Sequence, residues 1–414
     1  MHEEKTLGRV LLKRATLPHG TRGDLILAAG VVEQVGPVGT LTVDGDEVDL
    51  AGYLLLPALV EPHTHLDKTF TSRKVSNPSG ELLGAVRAWL DYRAGLGTEE
   101  IRARARAGAL LYLAHGCTTI RSHVDAGEGI ELRALEALLG VRDELAGIVD
   151  LELVALPTRP LIGRAGASNR AIFRAAVEMG ADLVGGAPHT DTDAPAYLKV
   201  CIDLASEFSK PLDLHMDETL EPSTLWLRRL AAYVSEGFPN RVTASHCVSL
   251  GIQPPEIQAE VANALAAAGI GVVTCPLTNL YLQGKKDTVS PPRGLTALRA
   301  LAAAGVVVAA AGDNNQDPFN PLGRCDPLQT AQFMVAAGHL SSEDALKMVG
   351  PNARAVLGRP AAGLAPGVRA DLVALAAGSI EEALASLTED RFVWSEGRLV
   401  ARTRVDSSLE IGGL

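Results

Sequence analysis

His63 and His65 stand two apart in Glu61-Pro62-His63-Thr64-His65-Leu66-Asp67, directly behind the apolar residues Leu54, Leu55, Leu56, Ala58, Leu59 and Val60. The apolar run reads as one strand buried on both faces, broken only by Pro57. Residues two apart in a strand point the same way, so both imidazoles leave one strand end together. That pairing suits one divalent metal held from one side. Other ligand-type residues end later apolar runs, in Asp213-Leu214-His215-Met216-Asp217-Glu218, Thr243-Ala244-Ser245-His246 and Ala311-Gly312-Asp313-Asn314. An isolated His-x-His is often a solvated turn. Its recurrence with His and Asp at four strand ends points to a metal site with proton-transfer groups beside it. His2, His19, His115 and His339 fall on termini, turns or helices and read as incidental.

Strand ends can converge only if the strands are parallel and closely spaced. The middle of the chain alternates strand and helix. Strands are expected at Thr118–Val124, Leu151–Leu156, Asp182–Ala187, Leu212–Met216, Val242–His246, Ile270–Cys275 and Val306–Ala311 after the His-x-His strand. Between them helices are expected over Glu81–Ala94 and Thr98–His115, then Glu131–Glu144, Ala167–Met179, Ala194–Phe208, Pro222–Glu236, Pro255–Ala268, Gly294–Ala304 and Asp326–Ala337. Eight such units predict a closed (β/α)8 TIM-type barrel over residues 57–360, with its site at the C-terminal face. Short strands at both chain ends predict a small β-sandwich domain built from residues 1–56 and 361–414. No Gly-rich phosphate fingerprint follows any strand.

Composition agrees with an α/β enzyme. The 414 residues are 47% hydrophobic and only 4% aromatic, so aliphatic side chains fill the core. A net charge of −11 argues against nucleic acid or an anionic membrane as partner. The five cysteines lack C-x-x-C spacing, which indicates neither a disulfide framework nor a zinc knuckle. Met1–Lys5 is charged and shows no signal-peptide core, and the expected location is cytoplasmic.

Across nearly its whole length the chain resembles the amidohydrolase superfamily, and within it the bacterial cytosine deaminases. The motifs that carry this are Glu61–Asp67, Arg121-Ser122-His123-Val124-Asp125, Pro188-His189, Leu214–Glu218, Val242–His246, Leu282-Gln283-Gly284, Asp317-Pro318 and Gly367–Val373. The resemblance implies one divalent ion, zinc or iron, on His63, His65, His215 and Asp313. It implies that His246 holds or polarises the attacking hydroxide and that Glu218 shuttles a proton. Binuclear relatives bridge two metals with a lysine near the end of strand four, where this chain has Gly185-Gly186-Ala187-Pro188-His189.

The chemistry is coherent on its own terms. Replacing an exocyclic amine on an aromatic ring needs a strong nucleophile, and a metal lowers the pKa of water from 15.7 to about 7. A carboxylic acid such as Glu218 can protonate the ring nitrogen, and Asp313 can hand the water's proton to the leaving ammonia. Glu218 could otherwise be a helix-start carboxylate facing the macrodipole. His123 and Asp125 are expected as supports that orient a ligand.

Specificity is where the chain departs from the cytosine deaminases. Their Pro-Gln pair after strand three is Pro157-Thr158 here, followed by Arg159. Their second aspartate after strand eight is Asn314, and their Asp-Pro-Trp is Asp317-Pro318-Phe319. Lys68 replaces a small polar residue. Thr158, Arg159, Asn314, Phe319 and Lys68 are therefore the expected substrate contacts, although Arg159 and Lys68 could equally lie on the surface. The expected substrate is an amino-substituted N-heterocycle, with pterins and substituted pyrimidines ahead of cytosine. The alternative is a hydrolase of cyclic amides or of N-alkylamines on a triazine-like ring, and a homo-oligomer is expected.

Overall fold

The computed structural model describes residues 8–408, so His2 and the charged Met1–Lys5 stretch lie outside the described residues. The chain divides into two compact units. One takes the residues up to Leu59, then Leu113–Thr118 and the chain from Ala361 onward; the other takes Val60–Tyr112 and Thr119–Pro360. In chain order the strands are β1 Val10–Thr16, β2 Arg22–Ala28, β3 Val31–Pro37, β4 Asp46–Asp49 and β5 Tyr53–Pro57. Then come β6 Leu59–Thr64, β7 Cys117–Ala126, β8 Asp150–Pro157, β9 Leu183–Gly186, β10 Leu212–Met216, β11 Val242–His246, β12 Gly271–Thr274 and β13 Val308–Ala310. The last three are β14 Leu372–Ala376, β15 Arg391–Ser395 and β16 Arg398–Thr403.

The smaller unit is a mostly antiparallel sheet in the order β16-β15-β14-β5-β1-β2-β3, with β4 paired to β1. Its core gathers Leu12, Leu25, Leu27, Leu55, Phe392 and Trp394, all buried. Strand β5 pairs antiparallel with β14, which joins the two chain ends into one sheet.

The larger unit is built on eight strands in the order β13-β12-β11-β10-β9-β8-β7-β6, with helices between them. A parallel bridge from Thr64 to Asp313 links the first strand to the turn after the eighth, giving a near-closed (β/α)8 barrel. The strands are short and buried along nearly their whole length because helices cover the outer face and side chains fill the inner one. Among the described residues no helix is long and apolar enough to cross a membrane.

Several expectations need correction. The run Leu54–Val60 is not one strand: β5 ends at Pro57 in the small sheet, and β6 begins at Leu59 in the barrel. Proline has no N–H to continue a ladder, so the chain changes sheets there. The helix expected from Pro222 begins only at Leu227, because Asp217 takes the N–H groups of Trp226 and Leu227 and sets the start. The helix expected over Gly294–Ala304 is only Leu298–Ala303. Helices at Pro276–Leu282, Ser342–Met348, Pro351–Leu357 and Ile380–Ser386 were not expected; two turns are too short to show a helical period.

Candidate metal centre

Strand ends bring the expected donors together. His63 is the last residue but one of β6, and His65 directly follows the strand. His215 lies on β10 opposite Ser245 of β11, and His246 pairs with Met216 one step further on. Asp313 follows β13 and is tied to β6 by its N–H, which donates to the His63 carbonyl at 3.1 Å. Thr64 Oγ1 donates in return to the Asp313 carbonyl at 2.7 Å. Asp313 and His246 both hold left-handed backbones, with φ of 60° and 68°. That conformation is costly for residues other than glycine and clusters at functional sites.

The donor atoms fit a metal. His65 Nε2 lies 3.2 Å from His215 Nε2 and 3.3 Å from Asp313 Oδ1. His63 Nε2 lies 3.6 Å from the same Asp313 oxygen. Two nitrogens bound to one tetrahedral ion at about 2.1 Å sit about 3.4 Å apart. His63 Nε2, His246 Nε2 and Asp313 Oδ1 are buried and have no hydrogen-bond partner. Buried polar atoms are rarely left so, and here they converge. Burial first, and then the neighbouring histidines, hold His63 and His215 well below the usual imidazole range. They are therefore neutral, as ligands must be.

A buried chain of hydrogen bonds stands behind His63. Its Nδ1 lies 2.9 Å from Ser245 Oγ, and that hydroxyl donates to Asp213 Oδ1 at 2.9 Å. Arg121 donates to the other Asp213 oxygen at 2.8 Å and is itself held by Glu152. Since Ser245 spends its proton on Asp213, it accepts from His63 Nδ1–H and leaves the Nε2 lone pair facing the donor cluster.

This support differs from the expected one. His123 stacks on His63 with ring centroids 4.0 Å apart, but neither of its nitrogens makes a hydrogen bond. Among the described residues Asp125 makes no hydrogen bond to a histidine; it accepts from Lys68, Arg93 and Trp89. Sequence reasoning also missed Ser245, Asp213 and Asn279. Their only signal is a small polar residue inside an apolar strand or helix, where burial demands a partner. Cys275 is a further unexpected neighbour. His63, His246, Cys275 and Asp313 offer donor atoms within 4.8 Å of one another, as do His63, His123 and His215. Burial, Asp313 and Glu218 push the Cys275 thiol well up, which keeps it protonated and a poor ligand beside neutral imidazoles.

Glu218 is buried at the edge of the cluster. Asn279 Nδ2 donates to its Oε1 at 3.0 Å, while Asn279 Oδ1 lies 3.3 Å from His246 Nδ1. Burial, reinforced by Asp313, raises the Glu218 carboxyl well above its ordinary range.

The cluster opens into a cleft of about 800 Å³ lined by His65, His215, Glu218, His246 and Asp313. Lys68, Thr158, Arg159, Asn314 and Phe319 line the same cleft. Lys68 is not a surface residue but is 3% exposed. Arg159 is half-buried and donates to the Thr190 carbonyl at 3.2 Å. Thr158 Oγ1 accepts from Arg93 at 2.6 Å, and the Asn314 amide is occupied by Asp317 at 2.8 Å.

Known proteins share this architecture. A profile described as the amidohydrolase family matches residues 92–401. A pterin deaminase of Rhizobium rhizogenes is 32% identical, over 96% of this chain and 95% of its own length. The crystal structure of 5-methylcytosine deaminase from Klebsiella pneumoniae liganded with 5-fluorocytosine superposes with a TM-score of 0.88 at 30% identity, covering 97% of this chain and 99% of that one. N-isopropylammelide isopropylaminohydrolase from Burkholderia multivorans follows at a TM-score of 0.83 and 28% identity, covering 96% and 99%.

Proposed function

Because the chain belongs to the amidohydrolase family, we propose that its cleft hydrolytically removes the amino group of an aminated N-heterocycle and releases ammonia. It is a hydrolase of carbon–nitrogen bonds other than peptide bonds. His63, His65, His215 and Asp313 hold one zinc or iron ion in this reading. The observation that carries it is the buried Glu218, wired through Asn279 to His246 at the edge of the donor cluster, where burial and Asp313 hold its carboxyl well above the ordinary range.

When bound, the ion supplies a water acidified to near neutral pH. The remaining work belongs to side chains. His246 has its Nδ1 side held by Asn279 and Glu218, so its bare Nε2 is free to accept from the nucleophile. Glu218 gives its proton to the ring nitrogen beside the carbon under attack, which relieves the negative charge that attack would place there. Asp313 takes one proton of the attacking water and passes it to the departing amine, and the other returns to Glu218 as the new carbonyl forms. Apolar residues such as Val86, Leu90 and Leu156 exclude bulk water from the cleft.

The short Thr158, committed to Arg93, cannot offer the paired donor and acceptor of an amide. A bicyclic pterin or a substituted pyrimidine is therefore the better fit than cytosine. Ammonia release from pterin, 5-methylcytosine, cytosine and an aminotriazine on one preparation tests this. Cytosine should trail; if its kcat/KM leads by more than about tenfold, the specificity reading is wrong. The likeness to N-isopropylammelide isopropylaminohydrolase favours a second reading, release of an alkylamine. The amine released from N-isopropylammelide distinguishes the two.

A further inference from the structure

Strand β12 contributes none of the four expected ligands, yet the short helix that follows it, Pro276–Leu282, reaches both proton carriers. Thr278 is buried; its hydroxyl hydrogen-bonds the Asp313 carboxylate and accepts from the Asn314 N–H at 3.3 Å. Asn279 is fully buried between Glu218 and His246. A primary amide has a donor end and an acceptor end, so a residue placed there imposes an order on its two neighbours.

The contacts decide that order. Asn279 Nδ2 donates to Glu218 Oε1 at 3.0 Å, which turns Asn279 Oδ1 toward His246 Nδ1 at 3.3 Å. His246 Nδ1 also lies 3.4 Å from Glu218 Oε1. Two acceptor oxygens face that nitrogen, so Nδ1 carries the hydrogen and Nε2 keeps its lone pair. Oε1 in turn faces two donors and is the wrong oxygen to carry a proton of its own. Glu218 lines the cleft, and among the described residues its Oε2 has no hydrogen-bond partner. Close packing backs the amide. Gly294 holds a left-handed φ of 62°, and a Cβ there would lie 3.1 Å from the Asn279 carbonyl oxygen and 3.2 Å from its Cβ.

We propose that Asn279 is a positioning residue for proton transfer. It confines the shuttled proton to Glu218 Oε2, the oxygen free of protein partners, and locks His246 in the tautomer whose bare Nε2 meets the nucleophile. The use of this order in catalysis rests on the hydrolase reading above; the order itself does not.

The order is tested without turnover. In zinc-loaded protein with histidine labelled for nitrogen NMR, His246 should show a protonated Nδ1 and a bare Nε2, its signals assigned by their loss in His246→Gln. A proton on Nε2 would mean that the amide is turned around, and it overturns the proposal. The catalytic use is tested by a double-mutant cycle on amine release from the best ring of the panel. Asn279→Ala should lower kcat by about 10–100-fold, the scale of misplacing a reacting group, with KM changed by less than about threefold. Asn279→Asp keeps the shape but sets a second carboxylate where the donor was, so kcat should fall at least as far; it stands in should the smaller side chain disturb the packing against Gly294. Metal content and melting temperature show whether each variant keeps its fold and its site. In a Glu218→Gln background, adding Asn279→Ala should cost less than about threefold, because the proton it places is already gone. An equal loss in both backgrounds makes the role structural and overturns the proposal, as does wild-type kcat in folded, metal-loaded Asn279→Ala. If no ring releases an amine, the hydrolase reading falls and the catalytic use with it, while the histidine measurement still decides the order.

Discussion

The imidazole of His63 has two nitrogens, and its neighbours choose which faces the donor cluster. Ser245 accepts at the Nδ1 side and donates to Asp213, so the choice is made by a buried hydroxyl behind the ring that does not line the cleft. Ser245→Ala should keep the fold and lower metal affinity by roughly 10–100-fold, the usual cost of losing such a partner. Competition with a chromophoric chelator measures it, and unchanged affinity would remove the relay from the account. Glu218→Gln keeps the shape and the Asn279 contact but loses the exchangeable proton. The kcat should fall by at least about 10²-fold at unchanged metal content; a fall under tenfold would move the proton shuttle elsewhere. The histidines were legible because two apart in a strand is a recognisable spacing. Ser245, Asp213 and Asn279 were not, since their roles exist only once β10 and β11 are in register.

Strand ends do the positioning at the next scale, and several of them turn through left-handed residues: Asp217, His246 and Asp313. These turns swing polar side chains off apolar strands into one cleft. Asp217 also accepts from the N–H groups of Trp226 and Leu227, anchoring the helix Leu227–Ser235. Burial raises its carboxyl from an ordinary 3.8 to about 7. A raised folded pKa means the native state keeps a proton that the unfolded chain gives up. This contribution is complete below about pH 4 and is lost as pH rises through about 7, by roughly 1.4 kcal/mol for each pH unit crossed between the two values. Asp217→Asn should flatten the fall in unfolding free energy across that window. Denaturant melts at pH 4.5, 6 and 7.5 check it, and an unchanged pH slope would place the loss on other groups. Short segments rich in apolar residues, each followed by a helical stretch, made the eight strands readable in the sequence. The misreading at Pro57 came from one apolar run that supplies strands to two different sheets, which hydropathy cannot register.

For the whole molecule, the alternation of strand and helix implied the barrel, while β14–β16 join the small sheet only through long-range pairing with β5. The donor cluster spans strands one, five, six and eight, so an ion bound there fastens segments some 250 residues apart in sequence, as the Thr64–Asp313 bridge illustrates. A ligand that binds only the folded state stabilises it by about 2.7 kcal/mol at a hundred times its Kd. Stripping metal with a chelator should therefore lower the melting temperature, and adding zinc back should restore it; an unchanged Tm would mean the site forms without needing an ion. The most direct measurement combines metal and chemistry. Chelator-stripped protein is titrated with zinc or iron(II) while ammonia release is followed on the best aminated ring of the panel. Release should climb linearly and level off at about one equivalent, the stoichiometry of a single catalytic ion. Full release from stripped protein, or a plateau that requires two equivalents, would contradict a deaminase built on one metal held by His63, His65, His215 and Asp313.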